Sequence, residues 1–525
     1  MSGHLRQLQD ELTSILGSEP AIGPGPEVRM KVQANDLTVV AEWLRHRHQV
    51  AFADLFGLDT GDHPEIHVIF ALDGEGAWLH LKADLSYEDP GYPSLTPSLP
   101  AADWYERQVW DELGIEPRAH PALARLRLPV GWPAKVHPLQ RGFKRLFTSD
   151  DGGYPAAPEL ALAPAGVVDY PLGPVRSGVV ESGHYTLRTV GEELVDVRLQ
   201  PFYKHRGVEK MAEGLPLAHL SLVAERISGT SAFAHSLALC QALETAAGVE
   251  APPRARFLRT LLAEIERLYN HLGYQADLCQ ATGLAVGQAQ MDILKERVLR
   301  LNAVVAGHRY LFGTNVPGGL ARDLGPEALQ AVARTVGEVR RELETLEPML
   351  LGSSSHLDRL ETTGILRTED AGAYGAVGPV GRASGIDRDL RRDHPYAAYA
   401  EVDFDVPVYK AGDAFCRAKV RLDEMHQSLR IIDQVLDRMP NGPVQVPLSA
   451  PIRGTSALGW AESPRGEGIH WILLDEESRV ERYRTRPASF ANAQVFPLAV
   501  PGHNILTDFP IIEQSFGLSF AGCDC

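Results

Sequence analysis

The feature that most constrains this chain is a change of hydrophobic period near residue 150. Before that point, short apolar runs alternate with turns: EIHVIFAL (65–72) and AWLHLKAD (77–84) flank DGEG and predict a β-hairpin. After it, apolar residues recur at steps of three and four, which predicts amphipathic helices packed as a bundle. The helical segments are 255–275 (ARFLRTLLAEIERLYNHLGYQ), 291–307, 326–350 and 414–439.

The same patterns divide the chain into an α+β first domain (1–147) and a mainly helical second domain (167–525). Between them, 148–166 is rich in Gly, Pro and Ala and predicts a linker. The segment 103–117 (DWYERQVWDELGIEP) predicts an acidic helix in the first domain. In the second, 183–203, 470–476 and 479–486 predict small β segments, so the expected fold class is α+β.

The charge balance excludes two classes of partner. The 525 residues include 51 Lys+Arg and 68 Asp+Glu, a formal net charge of −17. This acidity argues against nucleic-acid binding and against a basic membrane anchor. No uncharged apolar run reaches the ~18 residues that a transmembrane helix needs, so any membrane link is expected through partner subunits.

The cysteines are few and form no C-x-x-C pair. Five thiols in 525 residues are typical of a reducing compartment, and three of them, Cys240, Cys279 and Cys416, fall in helical apolar patterns typical of core residues. The terminal Cys523-Asp524-Cys525 has two readings that the sequence leaves open, a metal chelate or a frayed chain end. Walker, dinucleotide-binding and G-x-S-x-G motifs are absent.

Four segments of the second domain resemble the large subunit of membrane-bound [NiFe] hydrogenases of the formate hydrogenlyase type (group 4). That family is related to the 49-kDa subunit of respiratory complex I, and the resemblance runs in consistent order over 166–525. The segments are FYKHRGVEKMAEG (202–214), AERISGTSAFAH (224–235), RASGIDRDLRRDHPYAAY (382–399) and AESPRGEGIHW (461–471).

The first domain resembles a second subunit of the same machinery. DWYERQVWDELGIEPRAHPAL (103–123) and HPLQRGF (137–143) are similar to elements of the complex I 30-kDa subunit. Formate hydrogenlyase large subunits also fuse these two modules in one chain. The resemblance therefore implies a complex I 30-kDa-like domain followed by a [NiFe] hydrogenase large-subunit-like domain.

The resemblance also identifies four vacated ligand positions. The family holds nickel and iron with two C-x-x-C pairs, but this chain has Ser228 and Ser231 at the first pair and Ser519 and Gly522 at the second. A serine hydroxyl is a hard, neutral donor and does not replace a soft thiolate. The expectation is no metal and no cofactor on this chain, with a [4Fe-4S] cluster on a partner subunit.

Three polar residues around the ligand positions match the family. Glu209 matches an acid thought to pass protons, Arg465 a guanidinium above the metal, and His235 a histidine beside the ligand cysteines. Proton handling is the role that the resemblance implies for them. The alternative for each is structural: a buried paired charge that holds the fold in register.

A quinone site is an open but poorly supported alternative. Complex I relatives use a tyrosine near the segment matching 226–235 and a histidine in a β turn. Here 215–235 contains no tyrosine, and Arg176 stands where the first histidine of the turn would be.

These observations give three functional hypotheses. The first is a large-subunit-like component of a membrane-associated hydrogenase-like or NADH-quinone oxidoreductase-like electron-transfer complex. The second is a non-catalytic scaffold that couples an Fe–S small subunit (20-kDa-like) to antiporter-like membrane subunits, and the third is an active hydrogenase with atypical ligands. The expected location is the cytoplasmic face of the inner membrane, held there by partners.

Overall fold

The structure, a computed structural model, describes residues 3–16, 20–48, 50–129, 131–143, 164–176, 181–448 and 452–525. The predicted linker, 148–166, lies outside the described residues except for its last three positions. In the described part of the chain, no helix is long and apolar enough to cross a membrane.

The first module is α+β, as predicted, and its main sheet has five strands. Its elements are α1 (Gly3–Leu16), β1 (Ala21–Ile22), β2 (Glu27–Lys31), α2 (Leu37–His48), β3 (Ala51–Asp59), β4 (Pro64–Leu72), β5 (Ala77–Asp84), β6 (Gly91–Pro93), α3 (Asp103–Leu113) and β7 (Glu116–Arg118). The sheet order is β1-β2-β5-β4-β3, in which β2 and β5 run parallel and the other neighbours antiparallel.

Two local predictions for this module can be compared with the structure. The hairpin is confirmed, since β4 pairs with β5 in a register that sets Glu65 opposite Asp84. The helix predicted over 103–117 ends earlier, at Leu113. Gly114 follows with φ 74°, a left-handed conformation that favours glycine and ends the helix.

The second module opens with a small sheet and a long helical region. Its elements up to residue 438 are β8 (Val168–Leu172), β9 (His184–Val190), β10 (Glu193–Gln200), α4 (Val208–Ala212), α5 (Leu217–Ala224), α6 (Ala232–Ala247), α7 (Pro253–Thr282), α8 (Ala285–Ala306), β11 (Asn315–Val316), β12 (Gly319–Leu320), α9 (Pro326–Gly352), α10 (Ser354–Leu360), α11 (Thr368–Ala373), α12 (Gly378–Ala383), α13 (Leu390–Asp393) and α14 (Ala414–Arg438). The helices α7, α8, α9 and α14 contain the predicted amphipathic segments and bury their apolar faces in one core.

A second sheet and three helices complete this module. They are β13 (Ser456–Ser463), β14 (Gly466–Leu474), β15 (Val480–Arg486), α15 (Ala488–Ala499), α16 (Phe509–Phe516) and α17 (Phe520–Cys523). The sheet is antiparallel in the order β13-β14-β15, and β13 packs directly on α6. The α+β fold class, with a small first module and a helical second module, is confirmed.

The segment 382–399 folds into a buried ion network. Arg382 donates to Glu424 at 2.6 Å, and Arg391 donates to Asp389 at 2.7 Å and to Glu264 at 3.1 Å. Each of these side chains is fully buried. The network therefore connects α12 to α14 and α13 to α7. The motif 382–399 thus has a structural role in holding these helices together.

The two modules share a buried interface. The Arg484 guanidinium of β15 donates to the Asp54 carboxylate of β3 at 2.7 and 3.0 Å. Beside it, the Trp471 ring packs against Phe56, with ring centroids 4.9 Å apart. The first sheet is thus held against the β13–β15 sheet, next to the segments that carry the hydrogenase-like motifs.

Candidate functional site

The fold brings the vacated ligand positions together. Ser228 lies just before α6, and Ser519 caps the start of α17. Their Oγ atoms are 3.0 Å apart although the residues are 291 positions apart in sequence. The Gly522 amide donates to the Ser519 Oγ at 3.2 Å. We call Ser228, Ser231, Ser519 and Gly522, with Arg465, the hydroxyl pocket.

Arg465 joins the two halves of the hydroxyl pocket. It lies in the turn between β13 and β14, and its Nη1 donates to Ser231 Oγ at 3.0 Å and to Thr230 Oγ1 at 3.1 Å. Its Nε donates to the Gly517 carbonyl at 2.8 Å. The guanidinium thus bridges the 228–231 segment and the segment that leads into α17.

A carboxylate that the sequence did not single out orders these hydroxyls. Ser519 Oγ donates to Glu181 Oε1 at 3.1 Å, and the Ala521 amide donates to Glu181 Oε2 at 2.9 Å. Because the single hydroxyl proton of Ser519 goes to Glu181, Ser228 is the donor in the contact between the two serines.

The terminal cysteines lie near the pocket but are buried thiols. Cys525 Sγ donates to the Gly522 carbonyl at 2.8 Å. Burial raises the pKa of Cys525 to about 12 and that of Cys523 well above its usual value, so both stay protonated at neutral pH. Neither thiol is near enough to two further potential ligands to form a three-ligand group among the described residues.

His235 begins a hydrogen-bonded chain with two residues that sequence reasoning missed. Its Nδ1 lies 3.0 Å from His470 Nε2, and His470 Nδ1 lies 2.7 Å from the Tyr483 hydroxyl. Burial lowers the pKa of His235 to about 3 and that of His470 well below its usual value, so both rings are neutral. Two neutral rings and one hydroxyl satisfy both contacts in either direction, set by the tautomer of His470.

Glu266 is a further buried carboxyl group beneath the pocket. Its two oxygens accept from the amides of Phe233 and Ala234 in the first turn of α6, at 2.8 and 2.9 Å. Burial raises its pKa to about 8, although these amides and Arg267 act in the opposite direction. In the sequence it is one glutamate among several in an amphipathic helix, so no signal marked it.

Glu209 lies in a separate, closed environment. Its Oε2 accepts from Arg482 at 2.8 Å and its Oε1 from Arg484 at 3.2 Å. Only 2% of Glu209 is exposed. Both oxygens are held by arginines of β15, and no hydrogen bond between Glu209 and either Arg465 or His235 occurs in the described part of the chain.

The residue at the expected quinone-turn position is also engaged. Arg176 donates to Glu513 Oε2 at 2.9 Å, and its guanidinium lies 5.4 Å from the centre of the Tyr185 ring. A cationic side chain paired in this way offers no histidine-like donor to a quinone oxygen.

The fold and the site together define the class of this protein. It fuses two modules of the hydrogenase and complex I type in one chain, and it has three serines and a glycine at the four positions of the cysteine ligands. The family described as "Respiratory-chain NADH dehydrogenase, 30 Kd subunit" matches residues 30–146. The corresponding 49 Kd subunit family matches residues 289–456 and 451–525.

Known proteins are similar to this chain over nearly its whole length. Formate hydrogenlyase subunit 5 of Escherichia coli (strain K12) is 33% identical over 508 residues, which cover 95% of this chain and 89% of that protein. The fused C/D protein of the NADH-quinone oxidoreductase of Psychrobacter cryohalolentis is 30% identical over 535 residues, covering 93% and 88%. The chain therefore belongs to this family of fused 30-kDa-like and 49-kDa-like subunits.

A solved structure agrees with that assignment. One chain of the membrane-bound sulfane sulfur reductase (MBS), an archaeal respiratory membrane complex, superposes with a TM-score of 0.65 at 28% identity. The match covers 69% of this chain and all of that chain.

Proposed function

We propose that this chain is the large-subunit-like component of a membrane-associated, hydrogenase-like or complex I-like electron-transfer complex, and that it carries no nickel–iron centre. Membership of the family supports the first part, because the similar proteins include a formate hydrogenlyase subunit and a part of NADH-quinone oxidoreductase. The chemistry of the hydroxyl pocket supports the second part.

The observation that carries the proposal is the set of donor groups in the hydroxyl pocket. A nickel–iron centre needs soft, deprotonated donors, whereas Ser228, Ser231 and Ser519 offer neutral hydroxyls and Gly522 offers no side chain. The Arg465 guanidinium donates to Ser231 at 3.0 Å, so a fixed positive charge already uses one of the few oxygens available. These residues do not fit the metal centre of the family.

The proposed docking face for an Fe–S small subunit surrounds α4 and α5. An apolar groove of about 220 Å³ runs between Val208, Met211, Leu222 and Val223, and arginines stand at its rim. Met211 and Leu222 are each 47% exposed, unusual for large apolar side chains on consecutive helices. A [4Fe-4S]-bearing partner placed there would adjoin the 224–235 segment. Antiporter-like subunits would then hold the assembly on the cytoplasmic face of the inner membrane.

Within such a complex, Glu209 and His235 are the residues proposed to move protons, and Arg465 is proposed to assist them through its charge. His235 has the arrangement best suited to this role, because its chain through His470 to Tyr483 is continuous. Arg465 would set the electrostatic potential of the pocket and would not exchange a proton itself, since a guanidinium stays charged.

The environment of Glu209 favours a second candidate, a non-catalytic scaffold. Arg482 and Arg484 hold both of its oxygens, and Arg484 also holds Asp54 of the first module. A carboxylate fixed in this way stabilises the contact between modules whether or not the complex turns over.

Purification of the native complex through a tag on this chain tests the proposal. Co-purification of an Fe–S small subunit and membrane subunits is expected, and their absence would overturn it. Glu209→Gln then separates the two candidates, with Glu213→Gln as the control, because Glu213 follows α4 and pairs with Lys210 at 2.7 Å. Lower turnover in Glu209→Gln alone, with assembly intact, supports the redox component. Equal turnover in both variants supports the scaffold.

A further inference from the structure

A second polar cluster lies in the first module, away from the hydroxyl pocket. His63 precedes β4, Glu65 lies in β4, and Asp84 ends β5 directly opposite Glu65. We propose that these three residues form a binding site for a divalent cation of the zinc class. The proposal is independent of the function proposed above.

The three ligand atoms already converge. His63 Nε2 lies 3.1 Å from Glu65 Oε1 and 3.4 Å from Asp84 Oδ1. All three atoms lie within 4.8 Å of one another. Ligands that bind one ion at ~2.0–2.2 Å in tetrahedral geometry stand roughly 3–3.5 Å apart, and the two distances from His63 Nε2 to the carboxylate oxygens lie in that range.

One ligand atom lacks a hydrogen-bond donor. Asp84 Oδ1 is shielded from solvent and accepts no hydrogen bond from the described residues. A buried carboxylate oxygen without a donor is costly, and a cation at the centre of the cluster would satisfy it. His63 Nε2 approaches this oxygen only to 3.4 Å, an ion-pair contact without a hydrogen bond, and this distinguishes the cluster from an ion-pair network in which every oxygen is hydrogen-bonded.

A buried relay behind the cluster fixes the orientation of Glu65. His67 Nε2 lies 3.1 Å from Glu65 Oε2, His67 Nδ1 lies 2.8 Å from His80 Nε2, and His80 Nδ1 lies 2.6 Å from Glu27 Oε1. Glu65 Oε2 is therefore engaged, and Oε1 faces His63, as in carboxylate ligands supported by an outer histidine.

Two lysines now partner the carboxylates and would compete with the ion. Lys82 Nζ lies 2.6 Å from Glu65 Oε1, and Lys31 Nζ lies 2.5 Å from Asp84 Oδ2. Lys31 uses the Asp84 oxygen that is not a proposed ligand. The Lys82 side chain is 41% exposed, so its ammonium can move into water when a cation takes its place. Removal of Lys82 should therefore tighten binding.

The donor set favours zinc over the hard cations. One imidazole nitrogen and two carboxylate oxygens are donor types that zinc accepts, and three protein ligands leave an open fourth position as in catalytic-type zinc sites. Calcium prefers six to eight oxygens, and magnesium keeps most of its water. Two of the three ligands lie on paired strands, which hold them in place without the ion.

Zinc titration of the full-length chain by calorimetry tests the proposal, and circular dichroism verifies that each variant is folded. His63→Ala and Asp84→Asn are expected to weaken one zinc site at least about tenfold. His46→Ala, an exposed histidine on α2 of the same module, is the matched control and should leave that site unchanged. Lys82→Met should bind zinc more tightly than the natural chain.

The outcomes are decisive in both directions. His63→Ala is the safeguard against misfolding, because His63 lies outside the strands and is about one-third exposed. Equal affinity and stoichiometry in the natural chain, His63→Ala and Asp84→Asn would overturn the site. An unchanged or weaker affinity in Lys82→Met would overturn the proposed exchange of ammonium for metal.

Discussion

Arg465 Nη1 lies 3.0 Å from Ser231 Oγ, and this contact connects the two halves of the hydroxyl pocket. Ser228, Ser231, Ser519 and Gly522 of this pocket stand at the positions where the [NiFe] family has thiolate ligands. A guanidinium stays charged and offers several N–H donors in a fixed geometry. The contact therefore explains how a pocket without thiolates can keep its shape: a charged side chain supplies the hydrogen bonds that join α6 to the α17 segment.

Restoring the four thiols should create a metal site. We predict that Ser228→Cys/Ser231→Cys/Ser519→Cys/Gly522→Cys gains about one bound divalent metal ion, because the backbone already brings these positions together. A Cβ at Gly522 would lie 3.6 Å from its nearest neighbours, an ordinary van der Waals contact. Metal content after nickel or zinc exposure and dialysis is the measurement.

The control for this variant places new thiols at other buried serines. Ser236 of α6 and Ser428 of α14 are both fully buried, and their hydrogen bonds go to Phe233, Asn315 and Glu264, outside the hydroxyl pocket. Ser236→Cys/Ser428→Cys should gain no metal. Equal metal uptake by both variants would show that the four pocket positions do not form a metal site of their own.

Loss of the ion pair between modules should be strongly destabilising. Asp54→Asn leaves the buried Arg484 guanidinium without its main partner, so we predict a loss of about 3–5 kcal/mol in the free energy of unfolding. Arg141→Met is the control, since Arg141 pairs with Glu481 across the same two modules but is half exposed. That change should cost less than about 1 kcal/mol. Urea unfolding measures the free energy of unfolding of both variants. Similar losses in the two would contradict a special role of the buried Asp54–Arg484 pair in joining the modules.

Glu266 should make stability depend on pH. Its pKa is about 8 in the folded chain against 4.5 as the ordinary value. Between those values the folded state holds a proton that the unfolded state has released, so stability should fall as pH rises, by up to about 1.4 kcal/mol per unit. Below about pH 4.5 and above about pH 8 this contribution should be flat.

Glu266→Gln should remove that slope, because an amide does not ionise and still accepts a hydrogen bond from the first turn of α6. Glu344→Gln, an exposed glutamate on α9, should keep the slope of the natural chain. Urea midpoints across this pH range give the comparison. Parallel pH profiles for all three chains would be inconsistent with a protonated Glu266.

The sequence predicted elements whose pattern is local. The β4–β5 hairpin and the helices α7, α8, α9 and α14 follow from periodicity alone. The strand β13 was missed because it is buried along nearly its whole length, partly under α6, so its residues show no alternation of burial. The pairing of Arg484 with Asp54 was also beyond sequence reasoning, since 430 positions separate the two residues.

The candidate site shows the same division. The motifs identified Ser228, Ser231, Ser519 and Gly522, and the structure brings them together. The motifs also identified Glu209, but its ion pairs with Arg482 and Arg484 depend on where β15 lies in the fold. His470 was within a quoted motif, AESPRGEGIHW, although only the geometry connects it to His235 and Tyr483.

Nickel quantification in the native complex, purified with its partner subunits, tests the central claim most directly. Nickel is the informative element, because iron would also come from Fe–S clusters of a partner. The account predicts a nickel content far below one atom per copy of this chain. One full equivalent of nickel, lost when Ser228 and Ser519 are replaced by alanine, would contradict it.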